Sequence, residues 1–279
     1  MKEHPKLTDC AALTRNRQRA MSSAAHQGAS FLHDAMIADV QERLNEVNRT
    51  FTDPVIVTGF PEFWQSALPQ AKIVPDDDVL SLERSRHDLV IHAMGLHWAN
   101  DPLGQLVQCR LALRPDGLFM AQFLGGRTLQ QLRACLAHAE ASVTGGVSPR
   151  VLPMAEIRDL GDLLHRAGFA MPVADSTLQT VLYGSPYALL SDLRAMGETN
   201  ALTGRLRHPT RRSIITEAMT IYAATYGDAD GKIPASFEIM SLTGWAPDAS
   251  QPKALRPGSA QQRLADALNA QERRLSDEG

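Results

Sequence analysis

Cysteine is scarce in this 279-residue chain: Cys10, Cys109 and Cys135 are odd in number, far apart and without CxxC spacing. That excludes a disulfide framework and a structural zinc site, and it points to plain thiols in a reducing compartment, the cytoplasm. Long hydrophobic runs are missing too. No stretch approaches the ~20 apolar residues that cross a bilayer, so no membrane span is expected. The first 25 residues have no apolar core of a secretory signal, and Arg15, Arg17 and Arg19 among Ala and Ser only mimic a transit peptide. An excess of positive charge is also absent. Lys+Arg 28 stand against Asp+Glu 31, a net charge of -3, which removes the basic footprint that nucleic acid would need. The motifs HExxH, GxSxG and GxxxxGK[ST] do not occur, so zinc-hydrolase, serine-hydrolase and P-loop chemistries lack support. What is present is ample apolar material, 44% of the residues, enough to bury a sizeable core.

Between Ala29 and Val47 the apolar positions follow helical spacing, which predicts an amphipathic helix. Pro54 then opens a β-branched run, Val55 to Thr58, that stops at Gly59 and suits a buried parallel strand. A short helix is expected over Glu62 to Leu68, and short apolar segments follow at Ala71 to Val74, Asp88 to Gly95 and Gly117 to Gly125. A helix pattern from Leu103 to Leu113 separates the last two, ended by the turn Arg114-Pro115-Asp116-Gly117. Strand, helix, strand at this spacing is a βαβ unit, so the class is α/β with a mostly parallel sheet flanked by helices. Further helices are expected over Leu129 to Ala141 and over Ala155 to Ala167, the latter capped by Gly168. Strands are expected at Pro172 to Asp175 and Leu178 to Tyr183. Two more helices, Pro186 to Met196 and Pro209 to Tyr226, form a cap inserted before a last strand, Ser236 to Trp245. A capping-box pattern at Ser259 starts a helix to Leu275. The resulting organisation is a helical segment over 1–50, a core over 51–185, the cap over 186–232, the last strand over 233–248 and a tail over 249–279.

In open parallel sheets ligands bind beyond the carboxyl ends of the strands. Those ends are Thr58-Gly59-Phe60, the stretch from Val74 through Asp76, Asp77 and Asp78 to Val79, and the stretch from Ala93 and Met94 to Asp101. The last is unusual, because His97, Trp98, Asn100 and Asp101 follow an apolar strand directly. Asn100 or Asp101 suits the N-cap of the next helix, and Trp98 suits a packing role at its entry. His97 is placed for proton transfer or a polar substrate contact. The three aspartates form either a solvated turn or an acceptor for an amino group of a bound nucleoside. His92, within the strand, reads as a core histidine. The pairs Gly125-Gly126 and Gly145-Gly146 mark turns.

The run HDLVIHAMGLHWANDP from His87, followed by LALRPDG and FLGGRTLQQLR, resembles class I S-adenosylmethionine-dependent methyltransferases. It looks most like their branch that includes the mitochondrial complex I assembly factor, which is arginine hydroxylase-like, and more remotely the malonyl-carrier-protein methyltransferases of biotin synthesis. The likeness continues through GGVSPR at 145–150, DLGDLLHRAGF at 159–169, DLRAMGETN at 192–200 and FEIMSLTGW at 237–245. It implies a Rossmann-like methyltransferase sheet and S-adenosylmethionine as cofactor, with Thr58, Gly59, Phe60, Asp76, Asp77, Val79, Ala93 and Met94 holding it and His97 and Trp98 at the reacting end. It gives Gly59 to the first loop and Asp76 with its neighbours to the adenine loop. It implies methyl transfer to an oxygen or nitrogen of a protein or carrier-bound substrate. The alternative is an assembly or maturation factor for a respiratory-complex subunit, with arginine hydroxylation as one form of it. Two departures stand out. The first loop offers one glycine where the family uses several, and Asp76 follows Gly59 so closely that a strand and a helix are missing, which predicts a shortened N-terminal half.

Overall fold

The computed structural model describes residues 6–252, and those up to Pro247 belong to one compact unit. This unit is built on a six-stranded sheet of order β2-β1-β3-β4-β6-β5. Its centre is β1 (Pro54–Thr58) and β3 (His87–Ala93), parallel and paired from Pro54↔Leu89 to Thr58↔Ala93. Both are buried at every position, which is why they read as unbroken apolar runs. β2 (Lys72–Val74) pairs parallel with β1 and β4 (Leu113–Gly125) parallel with β3. β6 (Ile233–Trp245) then runs antiparallel between β4 and the edge strand β5 (Ala170–Tyr183).

Alternation along the strands divides the core. Ile56, Leu89 and Ile91 join one apolar cluster with α2 (Phe31–Glu46), α3 (Pro61–Ala67), α5 (Gln130–Thr144) and α8 (Arg212–Tyr226). Val55, Val57 and Val90 join a second with α4 (Pro102–Ala112) and α6 (Ile157–Ala167). Two elements complete the unit, α1 (Cys10–Met21) and α7 (Pro186–Ala195).

The shortened half is realised at the sheet's edge: β2 has three residues, and among the described residues no strand lies beyond it. Three expectations are corrected. The two strands over 172–175 and 178–183 are one strand, β5, because β6 pairs with it continuously from Val173↔Thr243 to Tyr183↔Ile233. The Arg114–Gly117 turn does not precede the strand but sits inside it. The pairing jumps from His87↔Leu113 to Leu89↔Leu118, and Asp116 takes a positive φ of 58° to absorb the extra residues. The helix expected from Pro209 begins at Arg212 and packs along α5. Gly168 does end α6, in the left-handed conformation at φ 83°. The helix expected over 259–275 lies outside the described residues.

Candidate functional site

The carboxyl ends of β1, β2 and β3 converge, and each is shaped by local backbone chemistry. After β1 the Thr58 hydroxyl accepts the Phe60 N–H at 3.1 Å, a side-chain turn that holds the loop at Gly59 and buries Phe60 completely. After β3, Met94 adopts a left-handed φ of 53°, and its N–H donates to the Gln122 carbonyl at 2.7 Å. For a non-glycine residue that conformation is strained, and it turns the chain into Gly95. A Cβ on Gly95 would lie 2.3 Å from Asp76 Oδ2, so glycine is required for the aspartate to tuck against this turn.

Asp76 is gripped from the other side by a helix that no local sequence signal places here. α1 is capped by Asp9, which accepts the Ala12 N–H. Its Arg17 donates from Nη1 to both Asp76 oxygens, at 2.7 and 2.9 Å. The guanidinium fills the space in front of the first loop: a Cβ on Gly59 would be 2.0 Å from Nη1, and the Arg17 carbon lies 5.0 Å above the Phe60 ring. Burial opposes the Asp76 charge, yet the adjacent Arg17 holds its pKa below the usual carboxylate range. Arg17 Nε and Nη2 are buried without a hydrogen-bond partner. A cavity of ≈ 200 Å³ opens here, bordered by Arg17, Asp76, Gly95, Gln105 and Trp98.

A second carboxylate stands on the far side of Trp98. Glu198, in the loop after α7, accepts from Trp98 Nε1 at 2.8 Å and from His97 Nε2 at 3.2 Å, both through Oε2. Its Oε1 has no partner, nor has His97 Nδ1. The Glu198 side chain is 5% exposed and that of His97 2%. Burial works against ionising Glu198, but the His97 contact holds its pKa below the ordinary value, so it sits there as a carboxylate. Trp98 and Glu198 border a cavity of ≈ 250 Å³ whose wall is chiefly apolar, including Leu129, Leu132, Leu193 and Phe237, with Arg150, Arg194 and Asn200 as further polar members. Trp98 therefore separates a polar cleft from an apolar pocket.

Histidines support both. His33 accepts the Trp64 Nε1–H at 3.2 Å and lies 4.8 Å from the Phe60 ring, and burial lowers its pKa to about 3. His92 donates from Nε2 to Gln105 Oε1 at 2.9 Å, and Gln105 donates in turn to the Asp77 carbonyl at 3.0 Å, tying the aspartate loop to α4. His92 is fully buried, with Nδ1 unpartnered.

Of the residues singled out in the sequence, Thr58, Gly59, Phe60, Asp76, Ala93, Met94 and Trp98 meet around these strand ends. Asp77 is exposed and contributes its carbonyl, while Val79 is 78% exposed and stands apart. Asp76 follows the strand directly beside β1, and not a loop beyond a further strand. His97 lines neither cavity and instead holds Glu198. Asp101 caps α4 through the Gly104 N–H at 2.7 Å, whereas Asn100 brackets the Thr8 backbone. Arg17 and Glu198 were missed. The signals were in view, in the arginine run RNRQR at 15–19 and in MGETN at 196–200.

No family model matches the chain. Among curated proteins it is 34% identical over 239 residues to the mitochondrial arginine-hydroxylase NDUFAF5 of Danio rerio, covering 86% of this chain and 72% of that protein. It is 35% identical to the Homo sapiens protein of the same name over 196 residues, covering 70% of this chain and 56% of that protein. The malonyl-[acyl-carrier protein] O-methyltransferase of Xylella fastidiosa is 34% identical, with 64% of this chain and 58% of that protein covered. A solved phosphoethanolamine N-methyltransferase 2 of Haemonchus contortus, in complex with S-adenosyl-L-methionine, aligns over 74% of this chain and 51% of that one at 10% identity, with a TM-score of 0.39. At the identity and coverage of the Danio rerio match, the chain belongs to the family of the mitochondrial arginine-hydroxylase NDUFAF5.

Proposed function

We propose that the polar cleft binds S-adenosylmethionine and that the pocket behind Trp98 receives an arginine side chain of a partner protein, a subunit of a respiratory complex. The observation that carries this reading is Glu198: a buried carboxylate with one oxygen fixed by Trp98 and His97 and the other unpartnered, on the border of a chiefly apolar pocket. An isolated buried charge is costly, and a guanidinium on an aliphatic stem supplies the partner that Oε1 lacks. The same carboxylate would repel the acid of a malonyl group, which favours a protein substrate over a carrier-bound acidic one.

The polar set of the cleft suits the cofactor. Asp76 is an acceptor for ribose hydroxyls and the unpartnered Nε and Nη2 of Arg17 are donors for a carboxylate, with the Arg17 guanidinium occupying the space in front of Gly59. S-adenosylmethionine, when bound, supplies an electrophilic methyl group to an oxygen or nitrogen. The chain's own residues position the acceptor: Glu198 orients the guanidinium, His97 holds Glu198, and Trp98 shields the junction from water. Hydroxylation of the same arginine is the second reading, favoured by the name of the relatives; it would need dioxygen and a two-electron reductant as co-reactants. Both chemistries use one substrate seat, so whole-protein mass decides between them, by the gain of a methyl group or of an oxygen atom.

The binding step has a direct test. S-adenosylmethionine at 100 times its dissociation constant stabilises by about 2.7 kcal/mol, which raises the melting midpoint by about 5 to 10 °C in this size class. No shift with the cofactor or its demethylated product would refute the cleft assignment. Among the described residues no helix is long and apolar enough to cross a membrane. A cytoplasmic location is the reading that the three free thiols, Cys109 and Cys135 buried and Cys10 exposed, support.

A further inference from the structure

From the groove between α1 and α7 we infer that this chain docks an acidic, extended segment of its protein partner, the residues flanking the one that enters the pocket. The groove, ≈ 540 Å³, is lined by Asn16, Arg19, Ser23, Ser191, Arg194 and Thr199, among others, and no acidic residue lines it. Arg194 and Thr199 also line the apolar pocket, so the groove and the pocket share these two side chains. Arg19 and Arg194 are exposed, and no ion pair among the described residues joins either to a carboxylate. Arg15 stands one turn before Arg19 on the same side of α1, a like-charge spacing that costs the helix unless something negative lies against it. Two free arginines facing one groove, in a chain of net charge -3, are therefore a local positive field with an anionic partner to match. The hydroxyl and amide groups beside them suit the backbone of an extended peptide better than the tails of a lipid.

This inference rests on the reading of the pocket as an arginine seat, and the test separates the two. Labelled peptides with one central arginine, flanked either by aspartates or by lysines, are titrated into the full chain by fluorescence anisotropy. The acid-flanked peptide is expected to bind ~tenfold tighter at low salt, with the preference shrinking as salt rises. Arg19→Glu with Arg194→Glu should reverse the order, and Arg19→Gln with Arg194→Gln should abolish it; both pairs lie on the surface and should melt like the parent. Equal binding of the two peptides, or a preference that survives charge reversal, would overturn the proposal. Binding to phosphatidylglycerol vesicles through these arginines without a peptide preference would overturn it as well. If the acid-flanked peptide binds equally well with methionine in place of its arginine, the pocket reading fails while the groove stands.

Discussion

Among the described residues the two most deeply buried arginine–carboxylate pairs are finished differently. Arg150 and Glu140 are 13% and 4% exposed, Arg17 and Asp76 7% and 9%. Glu140 accepts from Arg150 Nε at 2.9 Å and Nη2 at 2.6 Å, and from the Ser148 N–H and hydroxyl, while Arg150 Nη1 donates to Thr210 at 2.8 Å. Every polar group of that pair has a partner, and it pins the 146–151 loop to α5. Arg17 satisfies Asp76 but leaves two of its own nitrogens unpartnered, and across Trp98 Glu198 leaves one oxygen so. Equal burial with unequal satisfaction distinguishes the two pairs, because an orphaned buried donor costs free energy that a ligand or a water returns.

The largest expected effect comes from breaking the finished pair. Arg150→Ala leaves Glu140 charged and buried, and should cost about 3 to 5 kcal/mol in urea unfolding while leaving cofactor affinity within twofold of the parent at matched folding. Arg17→Ala should cost less, about 1 to 3 kcal/mol, since Asp76 borders a cleft that water reaches. It should also remove the thermal shift with S-adenosylmethionine. If Arg17→Ala proved as destabilising as Arg150→Ala and left the shift intact, the contrast would collapse and both pairs would be scaffold.

Acid sharpens the contrast next. His33 and His92 have folded pKa values pushed down by burial, to about 3 for His33, from an ordinary 6.5. The unfolded chain therefore binds protons first, so stability is full above pH 6.5 and falls as pH drops below it, by about 1.4 kcal/mol per pH unit for each such proton. Glu140, held to about 2 by Arg150 against an ordinary 4.5, begins to add its loss only below 4.5. Between pH 6.5 and 4.5 the histidines near the site should thus carry the slope among these groups. His33→Gln, which keeps an acceptor for Trp64, should remove one proton's share of it. An unchanged slope would mean that His33 titrates normally.

Most of the fold was legible, because the signals were local. The β-branched run at Val55 to Val57, the apolar strand to Ala93 and the Gly168 cap each state their structure within a few residues. The split of β5 was misread because Asp175, Ser176 and Thr177 look like a turn, yet Arg43 pairs Asp175 at 2.8 Å and Ser176 donates to Glu238 at 3.1 Å, which keeps polar residues in a strand. The site was half legible. Strand ends marked Gly59, Asp76 and Trp98, but Arg17 and Glu198 reach them across 59 and 100 residues of sequence from their partners Asp76 and Trp98. No periodicity reports a contact of that range. A strand-end position suits His97 to proton transfer or a substrate contact, whereas in the structure its buried side chain meets Glu198.

The smallest expected effect lies within the aspartate triplet, where three like residues have unlike surroundings. Asp76 lies against Gly95 and Arg17, but Asp78 is a surface carboxylate whose ion pair with Lys6, at 3.9 Å, joins side chains 47% and 64% exposed. Such pairs contribute little, so Asp78→Ala should change stability by less than about 0.5 kcal/mol and cofactor affinity not measurably. Asp76→Ala removes an acceptor that a bound ribose would need and should weaken binding by about 1 to 3 kcal/mol in a calorimetric titration. It also releases Arg17 from its hold, so the loss should persist when the Arg17→Ala change is added, since the two act through one contact. Equal and negligible effects at both positions would return the triplet to a solvated turn. The contrast between finished and unfinished pairs would then rest on Glu198 alone.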